Sequence, residues 1–161
     1  MPAEIKVLLA GLTPFLDIKL AVPIGKSLGL SSTITLIFGI AGAMVIPVLM
    51  LIYLDPFVKF MEQKSKAVHL FCVKILDKTR TEHSKNFQRF GTLFLISLIA
   101  IPIPGSGAGT GAIICYLFGV EYWKSITIVF IGTTIAGLLM TAGVESLDSA
   151  FHLFKSNIPM P

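Results

Sequence analysis

Charged residues are missing from two long stretches of this chain, and those gaps set its architecture. Ser32 to Leu54, STITLIFGIAGAMVIPVLMLIYL, carries none, and a helix crossing a bilayer core needs about 20 apolar residues. Pro47 inside it predicts a kink that neighbouring helices absorb. Ser125 to Val144, SITIVFIGTTIAGLLMTAGV, is a second such run. Before it stand Glu121, Tyr122, Trp123 and Lys124, residue types that anchor a helix at the membrane–water boundary. Between the two runs, 55–90 is polar and holds eight of the 13 lysines and arginines: Lys59, Lys64, Lys66, Lys74, Lys78, Arg80, Lys85 and Arg89. Phe57, Phe60, Met61, Val68, Phe71 and Ile75 recur there at helical spacing. The pattern predicts an amphipathic segment on the membrane surface, and the excess of basic residues assigns it to the cytoplasm.

Two further apolar pieces are too short to cross. Gly91 to Ile101 gives roughly 16 Å of helix and Ala112 to Gly119 less, about half of a core some 30 Å thick. Near the N-terminus, 14–30 is apolar but interrupted by Asp17, Lys19, Pro23 and Lys26. Irregular backbone at membrane depth is tolerated only where protein buries it or a wet cavity borders it. The pattern therefore predicts two re-entrant hairpins, 14–30 and 91–119. In a competing arrangement, Gly91–Gly119 crosses as one broken helix.

The halves read alike. LAVPIG at Leu20–Gly25 echoes IAIPIPG at Ile99–Gly105, and Gly29–Phe38 echoes Gly119–Phe130 with a two-residue gap. The second copy carries about a dozen extra residues, chiefly a Gly-rich insertion. The expected fold is one all-α integral membrane domain over 1–161, built as two repeats. The first is 12–54 (hairpin 14–30, span 32–54), the second 91–144 (hairpin 91–119, span 125–144), and the cytoplasmic basic segment 55–90 joins them. Counting from that segment, the first hairpin opens outward and the second inward, so the repeats are inverted and their tips meet near the midplane. Transporters bind substrate at such helix breaks. The alternative is a chance likeness between apolar segments.

Composition agrees: 54% of the 161 residues are hydrophobic and 14% charged, against about a quarter charged in soluble domains. The net charge of +4 comes from residues lying between apolar runs rather than among stacking aromatics, so no nucleic-acid partner is expected; anionic lipid explains it. Cys72 and Cys115 stand alone, which implies neither a disulfide nor a metal site. The first residues lack the basic start of a signal peptide and read as mature protein. No cofactor is implied: the GxG spacing lies outside any strand–turn–helix unit, and GK[ST] is absent. His69, His83 and His152 lie outside the apolar runs.

The chemistry concentrates at the two tips. Around Pro102, Pro104, Gly105, Ser106, Gly107, Gly109, Thr110 and Gly111, a short helix is expected to begin near Thr110–Ala112. Its unpaired N–H groups suit an anion or a polar headgroup. Glycines let backbone approach a ligand, and the hydroxyls of Ser106 and Thr110 add partners. In the other reading the glycines only permit a tight turn and close helix packing, and Ser106 and Thr110 satisfy orphan backbone groups. At the first tip, Asp17, Lys19, Pro23 and Lys26 stand within an apolar run, where ionisable residues mark pathways or partners. Asp17 is the candidate proton carrier, and Lys19 its counter-charge or an anion grip. In the alternative, the hairpin is shallow and both charges reach the interface.

PFLDIKLAVPIGKSLGL, a span with an internal proline, a basic loop and then AIPIPGSGAGTGAIICYLFG resemble the small multidrug export protein family over roughly Leu12 to Gly143. Members of that family often carry Glu and Arg where this chain has Asp17 and Lys19; Lys lacks the bidentate fork of Arg. The uncharged first span differs from the four-helix small multidrug resistance transporters. The paired hairpins look like the DedA-type membrane proteins, a group linked to lipid-carrier or phospholipid movement and to proton coupling. The resemblance implies a small exporter or flippase, proton-coupled, that binds an amphiphilic or anionic substrate between the hairpins. A DedA-type lipid translocation factor and a non-transporting scaffold are the alternatives. An enzyme acting on lipid phosphate would need a carboxylate cluster, a metal or an activated nucleophile, and only Asp17 and scattered hydroxyls are present. Membrane lipids are expected partners, as is a second copy docked through Gly39 and Gly42 or Gly132 and Gly137.

Overall fold

The computed structural model describes residues 2–13, 17–64, 91–101 and 107–157. It is helical, with six helices among the described residues: α1 (Ala3–Gly11), α2 (Asp17–Ser27), α3 (Ser32–Lys64), α4 (Thr92–Ala100), α5 (Ala108–Leu117) and α6 (Tyr122–Asn157). Two of them are long and apolar enough to cross a membrane, over Ser32–Leu54 and Tyr122–Ser149. The first matches the expected span. The second starts three residues earlier than expected, because Tyr122, Trp123 and Lys124 are already helical, and it continues past Val144.

Each long helix turns an apolar face outward. On α3, Ile34, Ile37, Val45, Leu49 and Ile52 are exposed at three- to eight-residue steps along one side. That stripe runs roughly 27 Å at the rise of an α-helix, close to the thickness of a hydrocarbon core. On α6, Phe130, Ile131, Leu138 and Leu139 are exposed. Helices turned inside out in this way are at home in lipid rather than water.

The order short helix, break, short helix, turn, long helix occurs twice. The turns after α2 and α5 are the same structure. Leu30 N–H bonds to Gly25 C=O and Gly29 N–H to Lys26 C=O; ninety residues on, Val120 N–H bonds to Cys115 C=O and Gly119 N–H to Tyr116 C=O. This double bond pattern closes a helix when the residue after its C-cap is left-handed. Gly29 and Gly119 take that conformation, at φ 74° and 67°. Ser32 and Tyr122 then open the long helices, again ninety residues apart. Packing follows the same symmetry. α1 lies on α2 and α3 as α4 lies on α5 and α6; α2 lies on α3 as α5 lies on α6; across the halves, α3 meets α5 as α6 meets α2.

This constant spacing corrects the register read from the sequence. The two-residue gap after Gly29 is unnecessary. LAVPIG lies within α2, whose counterpart is α5, whereas of IAIPIPG Ile99 and Ala100 close α4, Ile101 caps it, and the remainder lies outside the described residues. Pro23 therefore marks no turn. It sits inside α2 with its ring exposed, so it removes one backbone bond without displacing a neighbour. Gly25 serves packing, since a Cβ there would strike the Thr35 side chain. The first break lies between α1 and α2, and the first short-helix pair is 3–27 rather than a hairpin over 14–30. The dozen extra residues of the second copy disappear once α1 is counted.

Two buried clusters form the core. Val7, Ala10, Ile18, Ala21, Val22 and Ala43 make the first, joined by Ala136 of α6. Leu95, Ile99, Ala108, Ala112, Cys115, Ile128 and Val129 make the second. Glycines let the short helices seat deeply. A Cβ on Gly42 would meet the Leu8 carbonyl, and one on Gly132 would meet Ile99. Gly39 and Gly137 likewise pack on Ile18. These four glycines are occupied within the chain, so they are not the contact for a second copy.

Candidate functional site

The first and second halves meet where α2 and α5 begin. Asp17 opens α2, and its N–H donates to the Thr13 carbonyl at 3.0 Å. Its φ is 31°, within the region glycine favours and Asp tolerates better than most residues. A strained residue held by its surroundings is a marker of function. The side chain is 4% exposed. One carboxylate oxygen, Oδ2, accepts the backbone N–H of Ala108 at 2.6 Å.

Ala108 is the first residue of α5, preceded by Gly107 in extended conformation with φ −94° and ψ −179°. The helix starts two residues before the expected Thr110–Ala112, and no side chain of its own caps it. The first N–H groups of a helix and its dipole attract negative charge. Asp17, ninety-one residues away in sequence, supplies that charge. The anion at this helix end is therefore a group of the protein.

Lys19 lies in the same helix, two residues from Asp17, and is 8% exposed. A buried carboxylate beside a buried ammonium is far less costly than either alone. Asp17, Lys19 and Gly107 are thus brought to one place. Gly109 and Gly111 are not tip residues. Both lie inside α5, Gly109 against Ile46 and Met50 of α3 and Gly111 against Ile99 of α4. Thr110 lies in α5 between them, half-buried. Pro102, Pro104, Gly105 and Ser106 lie outside the described residues.

Lys26 is not brought to the junction. It sits near the far end of α2, roughly 13 Å along the axis from Asp17, and Pro23 lies between them on the outer side. Lys26 Nζ pairs with Glu145 Oε1 of α6 at 2.9 Å, and Ser32 Oγ donates to the same oxygen at 2.6 Å. Glu145 escaped the sequence analysis because it stands just beyond the apolar run, where a charge reads as a helix end. At the start of α6, Glu121 and Lys124 pair at 3.0 Å beside an exposed Trp123. The residues of 65–90, with Cys72, His69 and His83, lie outside the described residues; 55–64 continue α3.

Thr133 of α6 was also missed. It is 1% exposed, and its Oγ1 has no hydrogen-bond partner among the described residues; the same is true of Asp17 Oδ1 and Thr35 Oγ1. Among the described residues, grooves open on the surface at two helix ends. One of about 330 Å³ runs along Ile96, Trp123, Thr127 and Ile131, and one of about 510 Å³ lies beside Lys26 and Glu145. Both are at helix ends, away from Asp17. No group of three or more metal-ligating side chains occurs among the described residues.

Compared with known families, the chain matches the one described as "Putative small multi-drug export protein" over residues 17–139. That range starts at Asp17 and takes in α2 to α5 and most of the apolar part of α6. No curated protein and no solved structure matches.

Proposed function

Because the chain belongs to the small multi-drug export protein family, we propose that it is a small membrane transport protein whose substrate binds between the starts of α2 and α5. The observation that carries this reading is the bond from Ala108 N–H to Asp17 Oδ2. A helix N-terminus facing into the protein is a site for anions, and here a carboxylate of the opposite half holds it. Protonation of Asp17 weakens that bond, since a neutral carboxyl accepts less strongly than a charged one. It also removes the negative charge that faces the α5 N-terminus. An anionic or amphiphilic substrate with an acidic group then takes the place that Asp17 gives up. Proton and substrate bind together, and either one favours the other.

The repeated order of helices and the matched packing support two inverted halves that rock against each other around this junction. The basic segment 55–90 would face the cytoplasm. Short helices of nine to eleven residues span only roughly 13–17 Å, which supports half-depth hairpins. A lipid with an acidic headgroup and a free anionic amphiphile share the chemistry that this site recognises.

Proteoliposomes with an imposed pH gradient test the reading, using a fluorescent anionic phospholipid as one probe and a soluble anionic dye as the other. The chain moves at least one of them faster when the gradient is present, and Asp17→Asn abolishes the dependence on the gradient. Gradient-driven movement that survives in Asp17→Asn would refute the role of Asp17. Movement of the lipid alone would identify a lipid translocation factor.

A further inference from the structure

We infer that Asp17 Oδ1 and Thr133 Oγ1 together form a second, neutral half of the junction site, which holds one small hydrogen-bonding group, a water or a ligand hydroxyl. The inference rests on the substrate site proposed above but concerns a residue from a third helix.

The threonines of α6 set Thr133 apart. Thr127, Thr134 and Thr141 each turn the hydroxyl back onto the carbonyl four residues earlier, at 2.8–2.9 Å. This is the usual way for a helical threonine to satisfy itself. Thr133 does not, although it is more deeply buried than any of them. A buried hydroxyl that declines the bond within easy reach is oriented toward something else.

Its place on the helix says where. Val129, one turn earlier, packs at Gly111 of α5, and Gly137, one turn later, packs on Ile18 of α2. Thr133 lies between these contacts on the same face, because residues four apart stack along a helix. Ile18 follows Asp17 directly, and Gly111 is one turn beyond Ala108. Thr133 is therefore level with the Asp17–Ala108 bond. Ala136, on the same side of α6, belongs to the cluster that includes Ile18.

The two atoms are chemically complementary. Asp17 Oδ1 is an acceptor, since Oδ2 already takes the Ala108 N–H. Thr133 has a hydroxyl proton to give and lone pairs to receive. A hydroxyl or a water satisfies both: it donates to Asp17 Oδ1 and accepts from Thr133. A cation is disfavoured, because Lys19 and the positive end of α5 adjoin the same carboxylate. Lys19 is the one charged neighbour on the described faces; α3, α5 and the apolar part of α6 present none at this level. Such a group would fix the rotamer of Asp17, making Thr133 a positioning residue for the proton carrier.

The test is the infrared band of the Asp17 carboxylate, assigned by its loss in Asp17→Asn, in the full chain reconstituted in vesicles. Thr133→Val keeps the shape and removes the hydroxyl; it shifts the band, and Thr133→Ser leaves it in place. The measurement is made in phosphatidylcholine vesicles and in phosphatidylglycerol vesicles, whose headgroup carries hydroxyls. A Thr133→Val shift in both identifies water as the shared group, and a shift confined to phosphatidylglycerol identifies a lipid hydroxyl. An unchanged band in Thr133→Val in both vesicles overturns the inference. That result would leave the Asp17→Asn transport experiment unaffected, so the two failures can be told apart.

Discussion

Helix α2 touches the second half of the molecule with a charge at each end, and the two contacts are built in opposite ways. At its start, Asp17 is 4% exposed and bonds to a backbone N–H of α5. At its end, the Lys26 and Glu145 side chains are 30% and 50% exposed and bond to each other. A charge pair in contact with solvent is weakened by screening and by the entropy of two long side chains. A buried carboxylate on a helix N-terminus escapes both penalties, but its partner must stay in place. The first contact has the burial that the proposed site requires; the second is a solvent-exposed clasp that contributes little.

Removing the buried contact has the largest expected effect. Asp17→Ala leaves the Ala108 N–H and the Lys19 ammonium buried without that carboxylate, and hydrogen bonds to charged groups contribute about 1.5–3 kcal/mol. Reversible unfolding in mild detergent should show a loss of about that size. Ala108→Pro has a smaller effect and is more selective. Proline suits the first position of a helix, and the extended Gly107 before it has the conformation that proline requires. The substitution thus deletes the donated N–H while the helix can still start at the same point. A loss near the lower end of that range, about 1.5 kcal/mol, is expected, together with the transport defect of Asp17→Asn. Full proton-dependent transport in Ala108→Pro would separate the N–H from the mechanism. The smallest effect falls on the exposed clasp. Lys26→Ala should leave the melting temperature unchanged at high salt and lower it slightly at low salt, and a salt-independent loss would show that the pair is shielded.

Much of this arrangement was legible in the sequence, and the rest had physical reasons to be hidden. The uncharged run Ser32–Leu54 identified its own helix, because nothing but length and hydropathy was needed. Asp17 stood out as well, since an ionisable residue in an apolar run must find a partner, and the structure gives it the Ala108 N–H of α5. The proline at position 23 misled, because a breaker in water becomes a helix residue when its ring faces outward and neighbours hold the chain. Gly25 beside it completed a false turn signal, although its task is to make room for Thr35. α1 was overlooked as a packing element because nine residues carry too little pattern. Thr133 left no trace at all: Thr133 and Thr134 are identical neighbours in sequence, and only the packed structure shows which one keeps its hydroxyl free of the backbone.

The Asp17 carboxylate holds the start of α5, and we propose that it releases it on protonation. The most direct test is the amide proton resonance of ¹⁵N-labelled Ala108 in the reconstituted full chain, followed from neutral to acidic pH. A bond to a carboxylate moves that proton downfield; the wild-type resonance is expected to lose this shift on acidification, and Asp17→Asn to lack it at every pH. An Ala108 resonance that is the same in the wild type and in Asp17→Asn would contradict it.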